Sequence, residues 1–255
     1  MMRHYPIKVA RLSGGMFLTA LAASPLAWAG AAHGHAGPQL ISPESSTMII
    51  EFNSTDGDVG VQFFFDAEEW TSMKVVDPTG TEIYSSDASG RLARLGGGSE
   101  LFLESAEPLI SDVPFVEFFQ RFPAGVYRFT GKTAAGRNIA GTTQFTHRIP
   151  AGPEIVAPVP QPGEECARNV AMPVDIAWNP VTLSYFGEPI DIKGYEVIIE
   201  AEDATFDVHI PASAGTMVTV TPETLHPGTR YDFEVLAIET GGNQTITSGC
   251  FRTAD

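Results

Sequence analysis

The sequence predicts an all-β chain of two β-sandwich domains in tandem, and three observations carry that prediction. Short runs of alternating apolar and polar residues recur from Thr47 to Thr253, separated by Gly, Pro, Asn and Asp. Long helical periodicity is missing on both sides of the middle of the chain. A proline-rich stretch, AGPEIVAPVPQPGEE at 151–165, divides the strand-like text in two. Its prolines, Pro153, Pro158, Pro160 and Pro162, favour an extended, semi-rigid path. The boundary therefore falls near Gly152, with a first module over 45–150 and a second over 153–255.

The chain opens with a basic head carrying Arg3, Lys8 and Arg11. The apolar run MFLTALAA follows at 16–23, then Pro25 and Ala27-Trp28-Ala29. A basic head, a short apolar core and an A-x-A end describe a secretory signal peptide, here 1–29. The run is shorter than the roughly 20 residues a membrane-spanning helix needs. The expectation is a secreted or periplasmic protein with no integral membrane segment after cleavage. A flexible stub, 30–44, would come next; its Ala32-His33-Gly34-His35 is a weak candidate for copper or nickel.

The sequence holds 15 Lys+Arg and 31 Asp+Glu. Removing Arg3, Lys8 and Arg11 with the signal leaves 12 basic residues, so the mature net charge is −19. Such a surface repels phosphate backbones and anionic lipid heads, which argues against nucleic acid or direct membrane binding.

In the first module, TMIIEF (47–52), VGVQFFF (59–65), SMKVVDPTGTEIYSS (72–86) and GVYRFTGKTAAGRNIAGTTQFTH (125–147) read as strands and hairpins. Asp77-Pro-Thr-Gly80 has turn chemistry. PFVEFFQRF (114–122) predicts the one short helix, with Pro114 at its first position and Phe115, Phe118, Phe119 and Phe122 at helical spacing. That stripe reads as a core face. Gly96, Gly97 and Gly98 read as a flexible loop tip. The module has a general likeness to bacterial immunoglobulin-like hairpins and resembles no more specific family.

In the second module seven strands are expected: near Ile155–Pro160, then Val174–Trp178, Gly194–Glu200, Thr205–Ile210, Met217–Thr221, Tyr231–Glu239 and Gln244–Thr253. The sequence places Trp178 in VDIAWNPV, Tyr195 in IKGYEVIIE, and Leu225-x-Pro227-Gly228-x-x-Tyr231 before a Y-x-F-x-V-x-A strand. With these motifs, residues 153–255 resemble the fibronectin type III domain. The resemblance implies that Tyr231 is a tyrosine corner whose hydroxyl closes back on upstream backbone, and that Trp178 is the central core aromatic. It also puts Cys166 and Cys250 at one pole. For an exported chain with two cysteines, that implies a disulfide between them.

Catalytic motifs are nearly absent: there is no Gly-x-Ser-x-Gly, His-Glu-x-x-His, phosphate-cradling glycine loop or Cys-x-x-Cys. His147 and His209 read as ordinary surface residues of strands. Asn53, Asp56 and Asp58 in NSTDGD form the one calcium candidate, since oxygen side chains around a glycine can wrap that ion. A hairpin turn is the simpler account of the same residues, and no cofactor is otherwise expected. Asn243-Gln-Thr245 matches the N-glycosylation pattern. Tyr185 and Phe186, in the long loop after Trp178, are the candidate binding residues, either for a partner or for packing on the first module. The leading expectation is a non-enzymatic binding or structural module whose partner is a protein or a surface glycan. The alternatives are a carbohydrate-associated accessory module and an enzyme using Asp66, Glu68 and Glu69. Glycosidic chemistry would need two opposed carboxyls.

Overall fold

The first hairpin pairs β1 (Ser45–Asn53) with β2 (Asp58–Val76). β2 is much longer than its apolar run at 59–65 suggests. Its first half pairs with β1 and β4 (Gly98–Glu104). Beyond a register shift at Trp70, its second half pairs with β3 (Glu82–Asp87) and β5 (Gly125–Thr133), and β6 (Asn138–Phe145) completes that layer. One strand thus serves both layers of the first sandwich. The layers face each other: Phe63 and Phe65, from the first half of β2, meet Phe129 of β5 at centroid distances of 6.0 and 5.8 Å. These rings belong to a core that also holds Met48, Ile50, Tyr127 and Phe145.

The computed structural model describes residues 40–202 and 204–255. The expected signal peptide and residues 30–39 of the expected stub, with His33 and His35, lie outside the described residues. The last residues of that stub are not loose. Ile41 exchanges backbone hydrogen bonds with Asn138 and Ala140, and so lies along β6. A partly buried Ile41 packed on the core accounts for this, since an apolar side chain gains by leaving water.

Two short helices occur in the first module. α1 (Gly90–Leu95) offers only Leu92 and Leu95 at helical spacing and buries none of its residues. α2 (Phe115–Arg121) buries Phe118, and Phe115, Phe119 and Phe122 pack on the same core. Pro114 is its N-cap rather than its first residue. The glycine triplet is not a loop tip: Gly96 caps α1 and Gly98 starts β4. Between them Gly97 has φ +97°, and a Cβ there would stand 2.0 Å from the Trp70 carbonyl oxygen. Only glycine permits that approach.

The second core is built from β7 (Ile155–Ala157), β8 (Ala167–Val170), β9 (Val174–Trp178), β10 (Ile192–Ala201), β11 (Ala204–Pro211), β12 (Met217–Val220), β13 (Arg230–Glu239) and β14 (Gln244–Thr253). One sheet has the order β12-β9-β7; the other runs β11-β10-β13-β14, with β8 beside β14. This three-plus-four arrangement is fibronectin type III-like. β8 is an addition to the seven expected strands, a short parallel partner for Phe251 and Thr253. Trp178, Tyr195, Val197, Phe233 and Phe251 fill the space between the sheets.

The two cores lie within one compact unit, 38–255. The join is made by backbone. β1 pairs in parallel with the start of β14, Glu51 to Gln244, Phe52 to Thr245 and Asn53 to Ile246. The free edge of β14 is thereby covered along both ends, by β1 and by β8. Covering an edge removes a template for unwanted strand pairing. The result is one eleven-stranded sheet shared by both sandwiches.

Candidate functional site

The seam between the cores is the most elaborated polar region. The turn Glu239–Asn243 places Asn243 under the first module, where it is 2% exposed. Its Oδ1 accepts the Ile50 N–H at 2.9 Å. Its Nδ2 donates to the Thr146 carbonyl and hydroxyl, both 3.1 Å, and to the Arg148 carbonyl, 3.0 Å. Buried Glu239 holds the turn, accepting the N–H groups of Gly241 (2.7 Å) and Asn243 (3.2 Å). Thr245 Oγ1 donates to the Pro150 carbonyl at 2.7 Å. Every polar group in this buried cluster thus has a partner, the condition under which such a network rigidifies a fold. The Asn-x-Thr pattern at 243–245 is accordingly structural here. A glycan on Nδ2 is incompatible with an amide that is buried and already donating.

The long loop after Trp178 forms the other side of the seam. Tyr185 N–H donates to the Ile149 carbonyl and Ala151 N–H to the Leu183 carbonyl. The Tyr185 ring meets Phe52 and Phe115 at 5.0 and 5.1 Å, and Phe186 meets Phe115 and Phe119 at 5.4 and 5.9 Å. The α2 stripe is therefore shared: Phe118 serves the first core, while Phe115 and Phe119 receive the loop. Tyr185 and Phe186 keep 43% and 50% exposure, so one side of the aromatic cluster faces solvent. His147 belongs to this cluster rather than to a strand surface. It follows β6, stacks on Phe119 at 3.9 Å and donates through Nε2 to the Phe122 carbonyl at 2.8 Å.

Asn53, Asp56 and Asp58 make the β1–β2 turn. Asn53 Oδ1 accepts the N–H groups of Thr55 (2.9 Å) and Asp56 (3.1 Å), and its Nδ2 donates to Asp56 Oδ2 (3.1 Å). Burial and the neighbouring Asp56 carboxylate raise the Asp58 carboxyl above its ordinary range. The Asn53 oxygen that would bind calcium is thus engaged by the turn's own backbone.

Cys166 and Cys250 form a disulfide, with Cα atoms 4.9 Å apart. Beside it lies an open groove of about 420 Å³, lined by Asp56, Glu165, Glu200, Asp232 and Glu234 among others. Arg230 pairs with Glu165 and Asp232 at its rim. The outer face of the β10–β13–β14 sheet is therefore acidic, a surface that attracts cations and basic groups.

The remaining marked residues have structural places. Trp178 is buried against Tyr195, whose Oη accepts the Val181 N–H at 3.0 Å. Leu225 and Tyr231 are buried, Pro227 is exposed, and Tyr231 Oη accepts the His226 N–H at 2.7 Å. Of the three carboxylates considered for catalysis, Asp66 sits opposite Glu100, Glu68 pairs with Arg137, and Glu69 lies beside Gly96. They are strung along the bend of β2. Sequence reasoning missed Asn243 as the hub of the seam. An Asn in a Gly-Gly-Asn turn carries no sign of long-range contacts.

Fold and seam define the class: a tandem of β-sandwich modules, the second of fibronectin type III-like topology. No protein-family model matches the chain, and no curated protein matches it. Among solved structures it is similar to the chicken CNTN1 FN1–FN3 domains, with TM-score 0.35, 11% identity, and coverage of 86% of this chain and 66% of that one. It is similar to a tetra-tandem repeat in the extending region of a large adhesion protein, with TM-score 0.29, 13% identity and coverage of 82% and 49%. A 1.5-MDa bacterial ice-binding adhesin gives TM-score 0.28, 16% identity and coverage of 84% and 65%. The chain thus spans two thirds or less of each of those chains.

Proposed function

We propose that the mature chain is an exported, non-enzymatic pair of β-sandwiches that acts as a binding or structural module at the cell surface. The observation that best supports this reading is the seam. A shared sheet and the buried Asn243 network make the two sandwiches one stiff body, and fixing the spacing between surfaces is what such a body does well. Domain pairs joined by a small polar contact move by default; a continuous sheet removes that freedom. The basic head, apolar run and A-x-A end support export, as does the disulfide, which persists in oxidising compartments. The partner class is a protein or a surface glycan, met by the faces the seam leaves open.

A retention assay tests this reading. The mature chain, immobilised, is exposed to envelope fractions left untreated, treated with protease, or digested with glycosidases. Retention lost with protease is the expected result. Loss on glycan digestion alone would transfer the reading to a carbohydrate-associated module. A turnover activity abolished by substituting Asp66, Glu68 or Glu69 would sink the non-enzymatic reading.

A further inference from the structure

We propose that Glu196, Asp207 and His209 bind a divalent metal ion of the zinc class on the outer face of β10 and β11. Register brings them together. Glu196 stands directly opposite His209 in the antiparallel pair, and Asp207, opposite Ile198, is its diagonal neighbour. Alternate residues of a strand share a face, so all three project to one side. Their ligand atoms lie within 4.8 Å of one another. Glu196 Oε1 and His209 Nε2 are 3.2 Å apart. Two ligands on a tetrahedral ion, each at about 2.0–2.1 Å, stand about 3.4 Å apart. That separation suits a shared ion as well as a direct ion pair, and the exposed Asp207 already places a carboxylate oxygen within 4.8 Å of both.

The second observation is the burial of Glu196. Its side chain is 8% exposed, yet its neighbours are mostly carboxylates. Asp207 lies on β11, Glu234 on the adjoining β13 and Glu51 on β1, and each disfavours its charge. Among the described residues no Lys or Arg is within ion-pair distance; the paired base is His209. Asp207 also hydrogen-bonds to the Glu196 carboxyl, so the buried carboxyl already touches both other members of the set. A buried carboxylate needs a cation or a proton. A proton can bridge only two of the three groups, the hydrogen-bonded Glu196 and Asp207. A metal ion uses all three ligand atoms, and the imidazole selects a transition ion over calcium or magnesium. Two carboxylates and one imidazole leave a coordination position toward solvent, since Asp207 and His209 are exposed. The ion would clip β11, an edge strand, to β10.

The proposal is tested on the mature chain carrying His33→Ala and His35→Ala, which removes competing imidazoles. Chelator-stripped protein is titrated with Zn²⁺ by calorimetry and with Co²⁺ by its visible absorption, at pH 7.5. The expected result is one ion per chain, with affinity lowered at least about tenfold by His209→Ala and by Asp207→Asn. Both positions are exposed, so circular dichroism should show an unchanged fold. Saturable binding absent from the parent would overturn the proposal. Affinity unchanged in both variants would overturn it equally.

Discussion

The two sandwiches solve the same problem in opposite ways. In the first, β2 runs through both layers, so the chain itself holds the layers together. In the second, the sheets share no strand, and side chains cross-link the chain instead. Tyr231 and Tyr195 tie their hydroxyls to backbone 5 and 14 residues upstream, and a disulfide joins the stretch before β8 to β14. The difference teaches where each half is vulnerable. The first depends on its core and turns, the second on a few named bonds, and the seam on Asn243.

The largest effect should come from the disulfide. Its partners are 84 residues apart, and loss of that cross-link costs about 4 kcal/mol in the chain-entropy account. Cys166→Ser with Cys250→Ser should lower the stability of the second sandwich and leave the first core standing. Calorimetry should then resolve two transitions, and proteolysis should cut first beyond residue 151. A single transition shifted as a whole would show that the seam couples the halves more strongly than the disulfide supports one of them.

Asn243→Ala comes next. It orphans the buried Ile50 N–H and the partly buried Arg148 carbonyl, at about 1–3 kcal/mol per orphaned group. The expected outcome is loss of about 3 kcal/mol by urea titration, together with separation of the two unfolding transitions. A uniform loss with cooperativity intact would mean that the β1–β14 backbone bonds alone hold the join.

Asp77 tests the first module's reliance on turns. It is buried, and its Oδ1 accepts the Thr79 N–H, the Thr79 hydroxyl and the Thr81 N–H at 2.7–2.8 Å. Burial alone would raise its carboxyl, but these bonds outweigh it and hold the group below 3.8. A depressed carboxyl stabilises the fold above its unfolded value and loses that contribution as pH falls through its folded value. Asp77→Ala should therefore cost about 2 kcal/mol at pH 7. The gap from the parent should narrow steadily below pH 3.8, read from urea midpoints. A gap independent of pH would assign the turn to shape rather than charge.

The smallest effect sharpens the comparison most directly. Tyr231→Phe should cost about 1 kcal/mol, because the partly buried His226 N–H loses its partner. Tyr127, equally buried in the first core, has a hydroxyl with no hydrogen-bond partner among the described residues. Tyr127→Phe should be neutral or slightly stabilising. Equal costs at the two positions would erase the distinction between a core-held and a bond-held sandwich.

Particular residues show how far the sequence could be read. The strands around Trp178, Tyr195 and Tyr231 were legible because alternation is strong where one face is buried and the other wet. The Phe115–Phe122 helix was legible by its period. β4 was missed because the glycines before it looked like a loop, although Leu101, Phe102 and Leu103 form a short apolar run flanked by Glu100 and Glu104. α1 is a single short stretch whose Leu92 and Leu95, though at helical spacing, are exposed, and two residues are too few to read as a helix. In the candidate metal cluster, His209 was visible only as a strand residue. Its partner Glu196 lies on another strand, and register is not written in either segment alone.

By itself the sequence determined an all-β fold, the fibronectin type III-like second module and the residues that fill its core. These follow from local periodicity and from side chains whose burial is their signal. Only the tertiary structure decided that β1 joins β14, that Asn243 anchors the seam, and that Glu196, Asp207 and His209 converge. The first is made by backbone bonds, which every residue can form alike. The other two depend on which residues face one another across strands, a property of register and not of any single segment.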